Sequence, residues 1–152
     1  MKQGLKFLNS KEIKEIKKKL EAQYDFSGPL DYAFLISEKN KVYIVKKDID
    51  AINLESMRIN SFGIYFCEDY GDKLRLSIEG SQIIGPYAKK NVIELDKQSA
   101  RLWLKGYDVD YPGNTSDYVI IKSGNDYMAS AKHKDGKLLN HVPKERRIRA
   151  TD

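Results

Sequence analysis

Between Val92 and Val142 the chain reads strand, helix, glycine turn and then closely spaced strands, an order that few small folds can satisfy. Val92-Ile-Glu-Leu95 has the apolar, β-branched character of a short strand. Asp96 is placed to cap a helix that ends at Lys105-Gly106, where glycine supplies the left-handed residue that closes it. Ala100, Trp103 and Leu104 are the expected buried side of that helix. Tyr111-Pro-Gly-Asn-Thr-Ser-Asp117 reads as a loop. Strands are expected at Tyr118–Lys122 and from Tyr127 to Lys134, joined by the turn Ser123-Gly-Asn-Asp126. Asp135-Gly136 is a hairpin signal. Leu138 to Val142 continues the sheet, Pro143 interrupts it, and Ile148 is placed for one last short strand. This pattern implies a small, partly open β-barrel of mixed strands with one covering helix.

The preceding half has a different rhythm. Asn9 and Ser10 offer capping oxygens, Glu12 sits where a capping-box carboxylate belongs, and Ile13, Ile16 and Leu20 recur at helical spacing. Tyr32–Ser37 and Lys41–Lys46 read as buried strands around the short loop Glu38 to Asn40. A short helix is expected over Asp48 to Leu54, then a strand from Arg58 to Glu68 interrupted by Gly63. After the turn Asp69–Asp72, the alternation in Lys73-Leu-Arg-Leu-Ser-Ile78 puts Leu74, Leu76 and Ile78 on one face. A second short helix is expected over Glu79–Ile84, ended by Gly85-Pro86. The reading is therefore α+β, with an N-terminal α/β unit at 1–88 and a C-terminal unit at 89–152.

Charge is sorted along this chain. The net charge is +5. Residues 1–20 sum to +5 and residues 132–149 to +5, whereas 21–131 sum to −4, with Asp152 adding one more negative charge. Two basic ends around a mildly acidic middle point to local electropositive patches that hold phosphates. No apolar run reaches the roughly 18 residues of a membrane span, and the N-terminus lacks a secretory apolar core. The expectation is a cytoplasmic protein with no membrane association. The lone Cys67, among Ile64-Tyr65-Phe66, reads as a buried, inert thiol.

Signatures of chemistry are sparse. His133 and His141 have no acidic or cysteine partner at metal-ligand spacing, so no metal is expected. No nucleophile elbow, P-loop or dinucleotide glycine pattern occurs. Glu68 with Asp69 and Asp108 with Asp110 read as solvated turn residues. The expectation is no catalytic residue, no cofactor and no enzymatic activity; a catalytic reading would have to use His133 or His141 as acid or base. Of the ten tyrosines, Tyr32, Tyr43, Tyr65 and Tyr118 are expected in the core, whereas Tyr107 and Tyr111, around the Gly106 turn, are candidates for stacking on unpaired bases.

The landmarks Lys41-Val-Tyr-Ile-Val45, Ser61-Phe-Gly63, Lys73–Ile78 and Pro86-Tyr-Ala-Lys89, followed by Ala100-Arg-Leu-Trp-Leu-Lys-Gly106 and Tyr118 to Ala131, resemble the two-domain proteins that join a pre-PUA domain to a PUA domain. The Nip-seven type ribosome-biogenesis factors are the particular likeness. The tail from Gly136 to Arg147 is also similar to the RNA-binding extension of the Nol-one/Nop-two/Sun class of RNA methyltransferases. The resemblance implies RNA binding in large-subunit ribosome biogenesis or RNA modification. Ribosomal RNA is the expected partner, with transfer RNA second and ribosome-assembly proteins as further partners. The alternative is a protein-protein assembly adaptor with weak RNA contacts. Carried onto this sequence, the RNA surface comprises Lys105, Gly106 and Tyr107 with Lys144, Arg146, Arg147 and Arg149. Charge adds Lys132 and Lys134.

Overall fold

The structure is a computed structural model that describes residues 4–47, 63–113, 115 and 117–148. The helix expected at 48–54, the beginning of the strand expected from 58, and Arg149 lie outside the described residues.

Asn9 opens helix α1 (Ser10–Tyr24) with the expected reciprocal cap. Its side chain accepts from the Glu12 amide at 2.9 Å, and the Glu12 carboxylate accepts from the Asn9 amide at 3.0 Å. Two otherwise unpaired amides are thereby satisfied. Ile16, Leu20 and Tyr24 bury one stripe of the helix, while Lys11, Lys14, Lys17 and Lys18 stay exposed. Against that stripe lies an antiparallel sheet in chain order: β1 (Lys6–Phe7), β2 (Tyr32–Ile36), β3 (Lys41–Lys46), β4 (Ile64–Asp69) and β5 (Leu74–Leu76). Gln23 fastens the helix to the sheet edge, because its amide donates to the Leu74 carbonyl at 2.7 Å and accepts from the Leu74 amide at 3.1 Å. Strand β1 spans only two residues, too few to carry an alternating pattern.

Leu74 and Leu76 point into this core, as expected, but Ile78 does not follow them. The Ser77 hydroxyl donates to the Tyr65 carbonyl at 2.6 Å and accepts from the Gly80 amide at 2.9 Å, so the strand ends there and α2 (Ile78–Ile84) begins. Gly85 does not close that helix in the left-handed conformation. It keeps a right-handed φ of −50° and leads into a 3₁₀ turn, Gly85–Tyr87. Its missing Cβ answers a different need, since one built there would stand 2.2 Å from the Tyr127 ring.

The second sheet contains β6 (Val92–Glu94), β7 (Val109–Asp110), β8 (Tyr118–Ser123), β9 (Asp126–Lys134) and β10 (Lys137–Leu139), in the order β6-β8-β9-β10-β7. It is mixed, as expected, with β6 parallel to β8 and the other pairs antiparallel. Helix α3 (Lys97–Leu104) covers one face, with Trp103 and Ala100 packed on Val119, Ile121, Ala129, Ala131 and Leu138. Leu104, expected on that buried side, is 37% exposed. The other face turns toward α2 and the first sheet, where Ile120 joins the first core. The described residues thus form an α+β structure of two sheets and three helices with shared packing. The last strand expected around Ile148 is replaced by a 3₁₀ turn, Lys144–Arg146, after which the Ile148 amide donates to the Leu104 carbonyl at 2.9 Å.

Tyr24 is the fully buried tyrosine. Tyr43 and Tyr65, expected in the core, are only partly buried and lie against each other at 5.7 Å, with the Lys41 ammonium 5.6 Å from the Tyr65 ring. Cys67 is buried and free, and burial pushes its thiol pKa up.

Candidate nucleic-acid interface

Asp96 starts α3 by accepting from the Ser99 amide at 2.7 Å, and that bond holds its carboxyl below the usual range. At the other end, Gly106 adopts φ +100°, which lets the chain reverse where a side chain would be strained. The reversal is fixed by Asn140, a residue that sequence reasoning missed. Its side-chain amide donates to the carbonyls of Trp103 at 2.8 Å and Tyr107 at 2.9 Å, and its side-chain oxygen accepts from the Val142 amide at 2.8 Å. The Asn140 backbone amide donates to Asp108 at 2.8 Å. One side chain therefore joins the end of α3 to the 140–148 segment. The available signal was a polar amide interrupting the apolar run Leu138 to Val142.

Arg147 completes the junction. Its Nε donates to the Val142 carbonyl at 2.9 Å, which lays the guanidinium over Gly106. Tyr107, 56% exposed, projects beside it with the exposed Leu102 and Leu104. Lys105 caps α3 and Lys144 is exposed at the start of the 3₁₀ turn. Lys105, Gly106, Tyr107 and Arg147 therefore gather around one corner, and Lys144 is joined to it through its carbonyl, which accepts from the Arg147 amide at 3.2 Å. An exposed aromatic ring among cations over a glycine turn is suited to stacking a base and holding a phosphate.

The remaining predicted residues fall elsewhere. Lys132 stands opposite Tyr118 and Leu139, and Lys134 opposite Lys137, whereas His133 stands opposite Leu138. Opposed residues share a face, so Lys132 and Lys134 lie on the side of the sheet away from α3. Charge alone could not assign a face. Arg146 turns away too, donating to Glu79 of α2 at 3.0 Å.

His133 latches the loop 111–117 to β9. Its Nε2 donates to the Tyr111 carbonyl at 2.7 Å, and its Nδ1 lies 2.5 Å from the Thr115 hydroxyl. Tyr111, a stacking candidate in the sequence, packs edge-on against this ring at 5.4 Å. His141 lies in a cationic setting, where burial first, then Arg75 and Lys132, lower its pKa against the opposing pull of Asp108. Among the described residues no cluster of three or more His, Cys, Asp or Glu could hold a metal, and no helix is long and apolar enough to cross a membrane.

Residues 90–148 match the family model described as "Methyltransferase RsmF PUA domain". The chain carries a PUA-like domain. It is also similar to proteins named ribosomal RNA small subunit methyltransferase F. The Vibrio vulnificus protein is 25% identical over 138 residues, which cover 90% of this chain and 29% of that relative. The Vibrio cholerae serotype O1 protein is 24% identical over 136 residues, covering 89% of this chain and 28% of the relative. The chain spans less than a third of the length of these relatives. They overturn one expectation. The absence of catalytic signatures suggested a protein that is no enzyme, but the homologues aligned along nearly the whole chain are named as methyltransferases. A search for local nucleophile and cofactor motifs is blind to kinship with an enzyme whose length lies largely outside the aligned segment.

Proposed function

We propose that this chain is the RNA-holding part of a ribosomal RNA methyltransferase system, gripping RNA at the corner built by the Gly106 turn and the 140–148 segment. The observation that carries the reading is the Arg147 guanidinium laid over Gly106 next to the exposed Tyr107, within the PUA-like match. Lys144 and Arg147 offer charge to backbone phosphates, and Tyr107 offers a ring to an unpaired base. The first sheet, within residues 1–88, serves as the pre-PUA scaffold that sets the orientation of the PUA-like part at 89–152. The Nip-seven likeness implied the large ribosomal subunit, whereas the names of the relatives favour small-subunit RNA. Small-subunit ribosomal RNA, presented for methylation, is the substrate we assign.

The test is a titration of the chain with small-subunit ribosomal RNA fragments at two salt concentrations, comparing wild type with Tyr107→Ala and Lys144→Gln. Loss of stacking should weaken binding by about 1–3 kcal/mol. Loss of a phosphate contact should flatten the dependence of log affinity on log salt by about one. Unchanged affinity and slope in both variants would remove this corner from the mechanism.

A further inference from the structure

The face of the second sheet turned away from α3 does not close fully on the first sheet. A cleft of about 130 Å³ remains between them, lined by Tyr65, Arg75 and Glu79 on one side and Ser130, His141 and Arg146 on the other. Three observations give it a chemical character. Ser130 is only 7% exposed, yet its hydroxyl has no hydrogen-bond partner among the described residues, a cost that buried polar groups ordinarily avoid. The Arg75 guanidinium has no ion-pair partner among the described residues, although it stands opposite Glu68 across the β4–β5 pair. Arg146 reaches the same cleft and, among the described residues, is balanced by Glu79. The lining carries two permanent positive charges against one negative charge, with Lys132 close by on the same sheet face.

We infer that this cleft is a phosphate-binding site in which Arg75 and Arg146 neutralise the anion while Ser130 and His141 donate to its oxygens. Size excludes the usual small-molecule ligand, which occupies roughly 300–1,000 Å³. A group of a few heavy atoms fits. Charge and donor count select among such groups, because guanidinium forks, a hydroxyl and an imidazole offer more donors than a carboxylate has acceptor sites in one plane. The pKa of His141 is lowered first by burial and next by Arg75, which places that guanidinium close to the ring. The phosphate comes from an RNA backbone or from a free phosphate or nucleotide tail; only the first source rests on the RNA-binding reading. On that source, the RNA would run from the Gly106 corner round the 140–146 segment into the cleft.

The chain contains two histidines, so imidazole proton NMR gives one signal for His141 and an internal reference from His133. Inorganic phosphate added at constant ionic strength should shift the His141 signal saturably and raise its pKa, leaving His133 unmoved. Arg75→Gln should abolish that response. Ser130→Ala should weaken it several-fold without unfolding the chain. Acetate at the same concentration should do nothing. An absent or non-saturating His141 response, an equal response in Arg75→Gln, or an equal response to acetate overturns the site. A ribosomal RNA fragment then identifies the source. If Arg75→Gln flattens the salt dependence of RNA binding by about one, the phosphate is the RNA backbone's. If the slope is unchanged while inorganic phosphate still titrates His141, the source is a free phosphate. Failure of the RNA reading itself would show separately, as a lack of effect at Tyr107 and Lys144.

Discussion

Gly106 and Arg147 fit each other so closely that a Cβ built on the glycine would stand 2.7 Å from the arginine Cδ and Nε. Gly106→Ala therefore meets two penalties, a side chain at φ +100° and displacement of Arg147 from the Val142 carbonyl. The expected loss is about 1–3 kcal/mol of stability, read by urea unfolding, together with weaker RNA binding. Gly71 has nearly the same φ, +94°, but nothing within 4 Å of its would-be Cβ. Gly71→Ala should therefore carry only the backbone strain and cost less. Equal losses would mean that the Arg147 contact contributes nothing.

Both glycines could be marked as turn residues from the sequence, but only the structure separates them, because the difference lies in what the chain brings back from forty-one positions later. The same divide runs through the whole molecule. The α1 capping box, the β2–β3 and β9–β10 hairpins, the Asp96 cap and the Gly106 turn depend on residues within a few positions of one another, and all were legible. Ile78 was misplaced because Ser77 bonds to Tyr65, a partner from another strand. The candidate site divides likewise. The Gly106 turn and the basic tail were each visible. That Asn140 would clamp them together, or that Lys132 and Lys134 would lie on the opposite face, depended on strand register.

Asn140→Ala tests that clamp. It removes the side-chain donor to the Trp103 and Tyr107 carbonyls and the acceptor of the Val142 amide, although the Trp103 carbonyl still accepts from the Gly106 amide. The expected destabilisation is about 1–3 kcal/mol, measured by chemical unfolding. Because Asn140 holds the turn in place, RNA affinity should fall as well, although its side chain is committed to the protein. Asn140→Asp, which keeps the acceptor for Val142 but loses the donor to both carbonyls, should fall close to the alanine variant. An aspartate variant as stable as wild type would show that the carbonyl bonds are dispensable.

Gly80 in α2 predicts a severe effect away from the Gly106 corner. A Cβ there would stand 2.2 Å from the Phe66 carbonyl oxygen, a backbone atom that also accepts from the Ser77 amide. No side-chain rotation relieves that clash. Gly80→Ala should cost at least the upper end of the roughly 1–3 kcal/mol typical of overpacking, despite alanine's better helix propensity. Thermal unfolding measures it. A stability equal to wild type would mean that α2 can move off β4 freely.

The pH dependence of stability should carry the signature of His141. Burial, then Arg75, hold its pKa below the ordinary 6.5 in the folded chain; Asp108 opposes them and Lys132 adds a smaller push in the same direction. The unfolded chain therefore binds the proton more readily. As pH falls through 6.5 toward the lowered folded value, protonation favours unfolding; above 6.5 both states are neutral and the term vanishes. Asp117, lowered by its bond to Lys73, acts further down, where its stabilising ion pair is lost as pH falls below the ordinary carboxylate range. His141→Gln should abolish the loss of stability between neutral pH and the onset of carboxylate titration, and Lys73→Met should reduce the loss at lower pH. Unfolding midpoints measured across that range decide it. An undiminished loss just below 6.5 in His141→Gln would assign the titration to another group. Phosphate at the cleft should oppose the His141 effect, because an anion there favours the protonated ring that Arg75 and Lys132 otherwise disfavour.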